Sequence, residues 1–180
     1  DKKFKKEACR NLNRLELKQR SDQIKLALEN QLPANISNAA KIILASLHPE
    51  NDVDLSGTNM DDEGIRGWAI CPLSHYVGES GIADFELGMT VLQELTKRFT
   101  SEFGIRFFLL EDSERALKII SKWAEDKNYH VRRLASEGIR PRLPWAMQLP
   151  KFIENPNPLL PILEKLKDDP EEYVRRSVAN

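Results

Sequence analysis

The sequence predicts an all-α protein organised as a HEAT-like helical-repeat solenoid. Three observations lead there: apolar residues recur at helical spacing, no run alternates apolar and polar as a half-buried strand would, and one eight-residue block occurs twice. The spacing is clear in Ala39, Ile42, Ile43 and Leu47, and again in Leu92, Leu95, Phe99 and Phe103. Ser113 reads as the N-cap of a helix over "ERALKIISKWAED", and Asp169-Pro170 as the opening of the last helix. Seven of the ten prolines fall between residues 141 and 170, where they restart the chain between short helices.

The repeated block is "HVRRLASE" at 130–137, which aligns with "YVRRSVAN" at 173–180, 43 residues further on. Each copy follows an acidic turn. A fainter copy, "TKRFTSE", ends at Glu102, 35 residues before Glu137. Helical repeats of about 40–47 residues have the HEAT or armadillo period, in which each helix pair leaves an apolar face for the next pair to cover. We therefore expect a single domain, with residues 1–61 as a helical cap and acidic linker and residues 62–180 as the repeat region. The chain lacks an initial Met and ends inside a helical pattern, so the repeats are expected to continue past Asn180.

Composition excludes several classes. Of 180 residues, 27 are Lys or Arg and 28 are Asp or Glu, for a formal net charge of −1, so any nucleic-acid binding must rest on local charge. Cys9 and Cys71 are too few for a disulfide framework or a zinc site, which fits a reducing cytoplasm. The N-terminal "DKKFKKEACR" is charged throughout, unlike a signal peptide, and its lysines read as a solvated, frayed helix. No apolar run approaches the roughly 20 residues that span a bilayer. His48, His75 and His130 form no catalytic grouping, and neither metal nor organic cofactor is expected. The stretch "DVDLSGTNMDDE" (52–63) matches EF-hand spacing, but Pro49 spoils the entering helix and Asn59 sits where an apolar residue belongs, so it reads as an acidic connector. Trp68 and Trp123 lie in apolar stretches and read as core, and Cys71 as a small buried residue.

The stretch "HVRRLASEGIRPRLPWA" (130–146) carries the functional signal. On a helix, Val131, Leu134, Ala135 and Gly138 share one apolar stripe, which groups Arg133, Glu137 and Arg140 on the other side. Between 130 and 151 the cations Arg132, Arg133, Arg140, Arg142 and Lys151 face Glu137 alone, a local excess of four positive charges. Such a surface with an exposed aromatic, Trp145, suits a duplex backbone. In the aligned copies Arg98, Arg133 and Arg176 hold one position, and four residues later come Glu102, Glu137 and Asn180. An Arg–Glu pair at that spacing is in itself a surface feature worth about 0.3 kcal/mol. Acids on a phosphate-binding surface are costly unless they serve something cationic.

The blocks "LTKRFTSEFGIRFFL" (95–109), "HVRRLASEGIRPRLPW" (130–145) and "LPILEKLKDDPEEYVRRSVAN" (160–180) resemble the AlkC branch of the DNA alkylation repair glycosylases, relatives of AlkD. The resemblance covers roughly residues 62 to 180. It implies a HEAT-like solenoid that removes N-alkylated bases such as 3-methyladenine and 3-methylcytosine from double-stranded DNA, without flipping the base into a deep pocket. Carried over by position, it implies Glu102 and Glu137 as active-site acids and Arg133 and Trp145 as lesion contacts, with a further catalytic aspartate beyond Asn180. Arg98, Arg132, Arg140, Arg142 and Arg176 are the expected phosphate-binding residues.

The chemistry fits these residue types. A base alkylated at a ring nitrogen is already cationic and leaves without a general acid, so no histidine is required. What remains is to stabilise an oxocarbenium-like sugar and to aim water at it, the work of carboxylates in glycoside hydrolysis. The expected protein is a monomeric, cytoplasmic glycosylase of bacterial type. The alternative is a non-enzymatic helical-repeat scaffold that binds DNA or protein.

Overall fold

The computed structural model of the chain describes residues 2–49 and 62–180. Its helices are α1 (Lys2–Ala8), α2 (Leu17–Gln31), α3 (Ile36–Ala45), α4 (Ile70–Ser80), α5 (Phe85–Thr96), α6 (Ile105–Glu111), α7 (Ser113–Trp123), α8 (Tyr129–Glu137), α9 (Pro150–Glu154), α10 (Leu160–Leu166) and α11 (Glu172–Ala179). The fold is all-α. Among the described residues, β character is confined to an isolated parallel bridge between Leu47 and Ile65. There the His48 amide donates to the Ile65 carbonyl at 3.1 Å and the Ile65 amide to Ser46 at 2.8 Å. Gly64 permits this closure, because a Cβ there would stand 2.5 Å from the His48 Cα.

Short polar side chains start the helices by accepting from otherwise orphaned amides. Asn35 caps α3 through the Asn38 amide at 3.1 Å, and Asn128 caps α8 through the amides of His130 and Val131. At α7 the cap is Asp112, accepting from the Arg115 amide at 3.0 Å; Ser113, expected as the cap, is the first helical residue instead. The carboxylate is the stronger acceptor and sits one residue earlier. Pro150 and Pro161 occupy the first turns of α9 and α10, where a missing N–H costs nothing. Asp169 accepts from the Glu171 amide at 2.9 Å just before α11.

Helices pack mostly on their neighbours in sequence, α1 on α2, α4 on α5, α6 on α7 and α7 on α8, while α2 reaches past α3 to α4 and α3 packs on α5. α8 also meets α5, α10 and α11, so the helices carrying the two copies of the Val-Arg-Arg block lie side by side. The core runs through this stack, with Val91, Leu92, Leu95, Ile105, Phe108, Ile120, Val131, Leu134 and Ala135 fully buried. Each large side chain buried this way contributes about 1.5–3 kcal/mol.

The fainter third copy departs from the pattern. α5 stops at Thr96, and Arg98 and Glu102 lie in the connection to α6 rather than on one helix. The chain here folds tightly onto α4: Ser101 is fully buried, and a Cβ on Gly104 would stand 2.5 Å from the Ser74 carbonyl oxygen. Trp123 is core as expected, but Trp68 is 55% exposed, with its ring on Phe99 at 4.9 Å between centroids. Cys71 is half-buried, and burial together with the charge of Glu102 pushes its thiol up to about 12. α1 is docked rather than frayed, for Gln23 Nε2 donates to the Glu7 carbonyl at 2.9 Å, although Lys2, Lys5 and Lys6 stay exposed. The EF-hand-like stretch 52–63 lies, apart from Asp62 and Glu63, outside the described residues. No described helix is long and apolar enough to cross a membrane.

Candidate active site

α8 turns Val131, Leu134 and Ala135 inward, each fully buried, and this fixes where its polar residues go. Arg133 and Glu137 emerge one turn apart, and the chain leaves the helix at Gly138 so that Arg140 folds back over the acid. Gly138 is required here: a Cβ would overlap Ile105 at 1.9 Å from its Cδ1. The helix end is thereby pressed against α6.

Glu137 is 4% exposed and densely bonded. Its Oε1 accepts from Arg140 Nη1 at 2.6 Å, and its Oε2 accepts from Ser177 Oγ at 2.7 Å and stands 3.5 Å from Arg133 Nη2. Ser136 Oγ lies 2.7 Å from the same Ser177 hydroxyl. Glu102 arrives from the connection between α5 and α6. It accepts from Thr100 Oγ1 at 2.7 Å and from Arg133 Nη1, which also donates to Thr100 at 2.9 Å. One guanidinium thus joins two carboxylates from different parts of the chain. Arg133 further lies over the Tyr173 ring, 5.2 Å from its centroid. Burial raises the Tyr173 hydroxyl above its ordinary value; Glu102 and Glu137 push the same way, against Arg133.

The expected Arg98–Glu102 pair does not form. Arg98 is 8% exposed, its Nε donating to the His48 carbonyl at 2.9 Å and its Nη1 to the Glu94 carbonyl at 3.1 Å. Arg132 is likewise turned into the protein, bonding both oxygens of Asp169 at 2.6 and 3.0 Å and the carbonyls of Asp126 and Lys127. Both guanidiniums are engaged by protein acceptors, some distant in sequence and some in an adjoining turn. Arg176 is exposed and paired with Glu172 at 2.7 Å. Arg142 is exposed with no partner among the described residues.

Trp145 is 73% exposed and holds φ at +65°, a left-handed conformation rare for a bulky side chain. A cleft of about 290 Å³ opens beside the acid; Arg140 and Ser177, both bonded to Glu137, line it together with Ser136, Arg142 and Asn180. Among the described residues no group of three or more His, Cys, Asp or Glu side chains could hold a metal ion.

One residue of this region carries no signal in the sequence. Arg106, in α6, is fully buried. Its guanidinium donates to the carbonyls of Gly138 at 3.1 Å, Arg140 at 2.8 Å and Pro141 at 3.3 Å, and its Nε to that of Met147. Burial pushes it down to about 10, against the charge of Glu102 and with that of Arg140, so it stays cationic at neutral pH.

No family model matches the chain. It is 41% identical over 166 residues to the uncharacterised protein YhaZ of Bacillus subtilis (strain 168), a span covering 92% of this chain and 42% of that protein. It is also similar to the solved structure of the Pseudomonas fluorescens alkylpurine DNA glycosylase AlkC bound to DNA containing an abasic site analog. That match has a TM-score of 0.83 and 36% identity, and covers 99% of this chain and 46% of the other. The chain therefore spans less than half the length of either relative. Likeness of that extent over nearly all of its residues gives the chain the all-α AlkC-type fold.

Proposed function

We propose that the chain forms the HEAT-like part of a DNA glycosylase that hydrolyses the N-glycosidic bond of cationic N-alkylated bases, of the 3-methyladenine or 3-methylcytosine type, in double-stranded DNA. The observation that carries this reading is the pair of acids joined by Arg133, beside a cleft lined by Arg140 and the unpartnered Arg142. The DNA-bound state of the similar glycosylase supports it.

On this reading Glu137 and Glu102 face the lesion and stabilise positive charge on the base and on the departing sugar. Arg133 lies closer to Glu102 than to Glu137, from which its Nη2 is 3.5 Å away. A cationic base reaching Glu137 can therefore replace Arg133 as its second counter-charge, beside Arg140, while Arg133 stays with Glu102 and Thr100. Trp145 supplies a face against the lesion, and Arg140 and Arg142 neutralise backbone phosphate. Arg98 and Arg132 serve the fold instead. The protein works as a cytoplasmic monomer on duplex DNA, without metal or organic cofactor.

The test is base release from methylated duplex DNA by this chain and by a version extended past Asn180, each with Glu137 and with Glu137→Gln. Release that disappears with Gln, while helical content and DNA binding persist, is the expected result. DNA binding without release from any of the four proteins would leave a binding scaffold.

A further inference from the structure

We propose that Arg106 is a positioning residue that sets the backbone of residues 138–147 and, through it, the aim of Trp145 and Arg140. The inference rests on the glycosylase reading for what is aimed at, but not for the loop itself.

The segment leaving α8 is anchored by the buried side chains of Ile139, Leu143 and Leu149, but few bonds of its own fix the backbone between them. It contains Pro141 and Pro144, which donate no backbone bonds, and its own turns are closed by Ala146 donating to Leu143 and Leu149 to Pro141. Arg106 reaches it from outside, 32 to 41 residues away in sequence, and gathers carbonyls from both ends. A guanidinium carries five donors in a planar fork, which suits several acceptors held in one plane; a lysine ammonium is a point charge on a flexible stem. The bond to the Arg140 carbonyl matters most, because the Arg140 side chain grips Glu137 at 2.6 Å. The bond to Met147 pins the loop two residues after Trp145, just beyond the turn that Ala146 closes on Leu143 and that holds the left-handed conformation of Trp145. Arg106 touches neither carboxylate through a hydrogen bond, so it acts through the backbone. Gly138 pressed on Ile105 keeps the loop at the distance the fork requires.

The experiment compares wild type with Arg106→Lys by two readouts. The first is tryptic cleavage after Arg142, an exposed arginine whose next residue is not proline. A synthetic peptide of residues 138–149 sets the unprotected rate. Wild type should be cut at least a hundredfold slower than the peptide, and Arg106→Lys at least tenfold faster than wild type at a temperature where both keep their helical signal. The second is single-turnover base release against DNA affinity. The release rate should fall at least tenfold while the dissociation constant moves less than threefold, a split that general loosening of the protein would not give.

Protection of Arg142 unchanged in Arg106→Lys, or rate and affinity falling together, would overturn the proposal. Should Arg106→Lys fail to fold, Arg106→Gln takes the same two readouts, and wild type cut after Arg142 near the peptide rate would overturn the proposal by itself. If neither wild type nor its version extended past Asn180 releases base, yet the protease effect is seen, the loop assignment stands and the glycosylase reading falls.

Discussion

Ser177 donates a hydrogen bond from its hydroxyl to the Glu137 carboxylate at 2.7 Å, joining α11 to the acid that ends α8 across 40 residues of sequence. Both groups are buried, at 4% exposure each. A buried hydrogen bond to a charged group contributes more than a neutral one, and its loss leaves a carboxylate short of a donor. Ser177→Ala should therefore lower stability by about 1–3 kcal/mol. Urea unfolding followed by circular dichroism checks this through the midpoint, with the slope unchanged.

A second pair governs behaviour in acid. Burial pushes the Asp169 carboxyl up, but the hydrogen bonds from Arg132 and the Glu171 amide, with the charges of Arg132 and Arg175, outweigh it and hold it below its ordinary 3.8. A depressed carboxyl adds stability that is complete above the unfolded value and fades as pH falls through the folded one. Asp169→Asn should cost about 3 kcal/mol at neutral pH, as when a buried pair loses one partner. That difference should shrink steadily below pH 3.8. Denaturant midpoints of the two proteins at pH 7, 4 and 3 measure it, and a constant difference across that range would refute the linkage.

Trp145 should show stability and function pulling apart. A side chain at φ +65° costs roughly 1–2 kcal/mol, which glycine avoids in part at the expense of a freer unfolded chain. With 73% of its surface in solvent, the indole contributes little burial in return. Trp145→Gly should raise stability by about 1 kcal/mol in thermal or urea unfolding. On the proposed function the same change should weaken binding to alkylated duplex and slow release.

Arg142 makes a cleaner claim on DNA. It has no protein partner among the described residues, so its removal costs the fold nothing measurable. If it neutralises one phosphate, Arg142→Ala should reduce the slope of log affinity against log salt by about one, equally for alkylated and plain duplex. Affinity titrations at several salt concentrations give that slope directly. An unchanged slope would place Arg142 off the DNA path.

How much of this was legible in the sequence depends on how far each contact reaches. The apolar stripe of α8 and the pairing of Arg133 with Glu137 follow from helical periodicity, as the structure has them, whereas Arg140 joins them from beyond the end of α8 and not from the helix itself. The joining of Glu102 to this group was reached by aligning it with Glu137 and by resemblance, but its expected local partner was wrong. Arg98 turns to His48, 50 residues away, and Glu102 to Arg133, 31 away, because the connection to α6 folds onto α4 instead of continuing α5. Arg106 was invisible for a different reason. Its partners are backbone carbonyls, which every residue has and no residue type announces. Trp68 misled because its apolar neighbours say only that a face is buried nearby, not that its own ring is on it.

The bridge between Leu47 and Ile65 has a consequence for how such a chain can diversify. Entry and exit of the intervening stretch are tied at one point, so α3 and α4 keep their places whatever its length. Each doubling of the chain length between two tied ends costs only about 0.6 kcal/mol of closure entropy. Descendants can therefore graft or delete whole segments there while the arginine–glutamate cluster stays in register, provided that the glycine at position 64 survives beside His48.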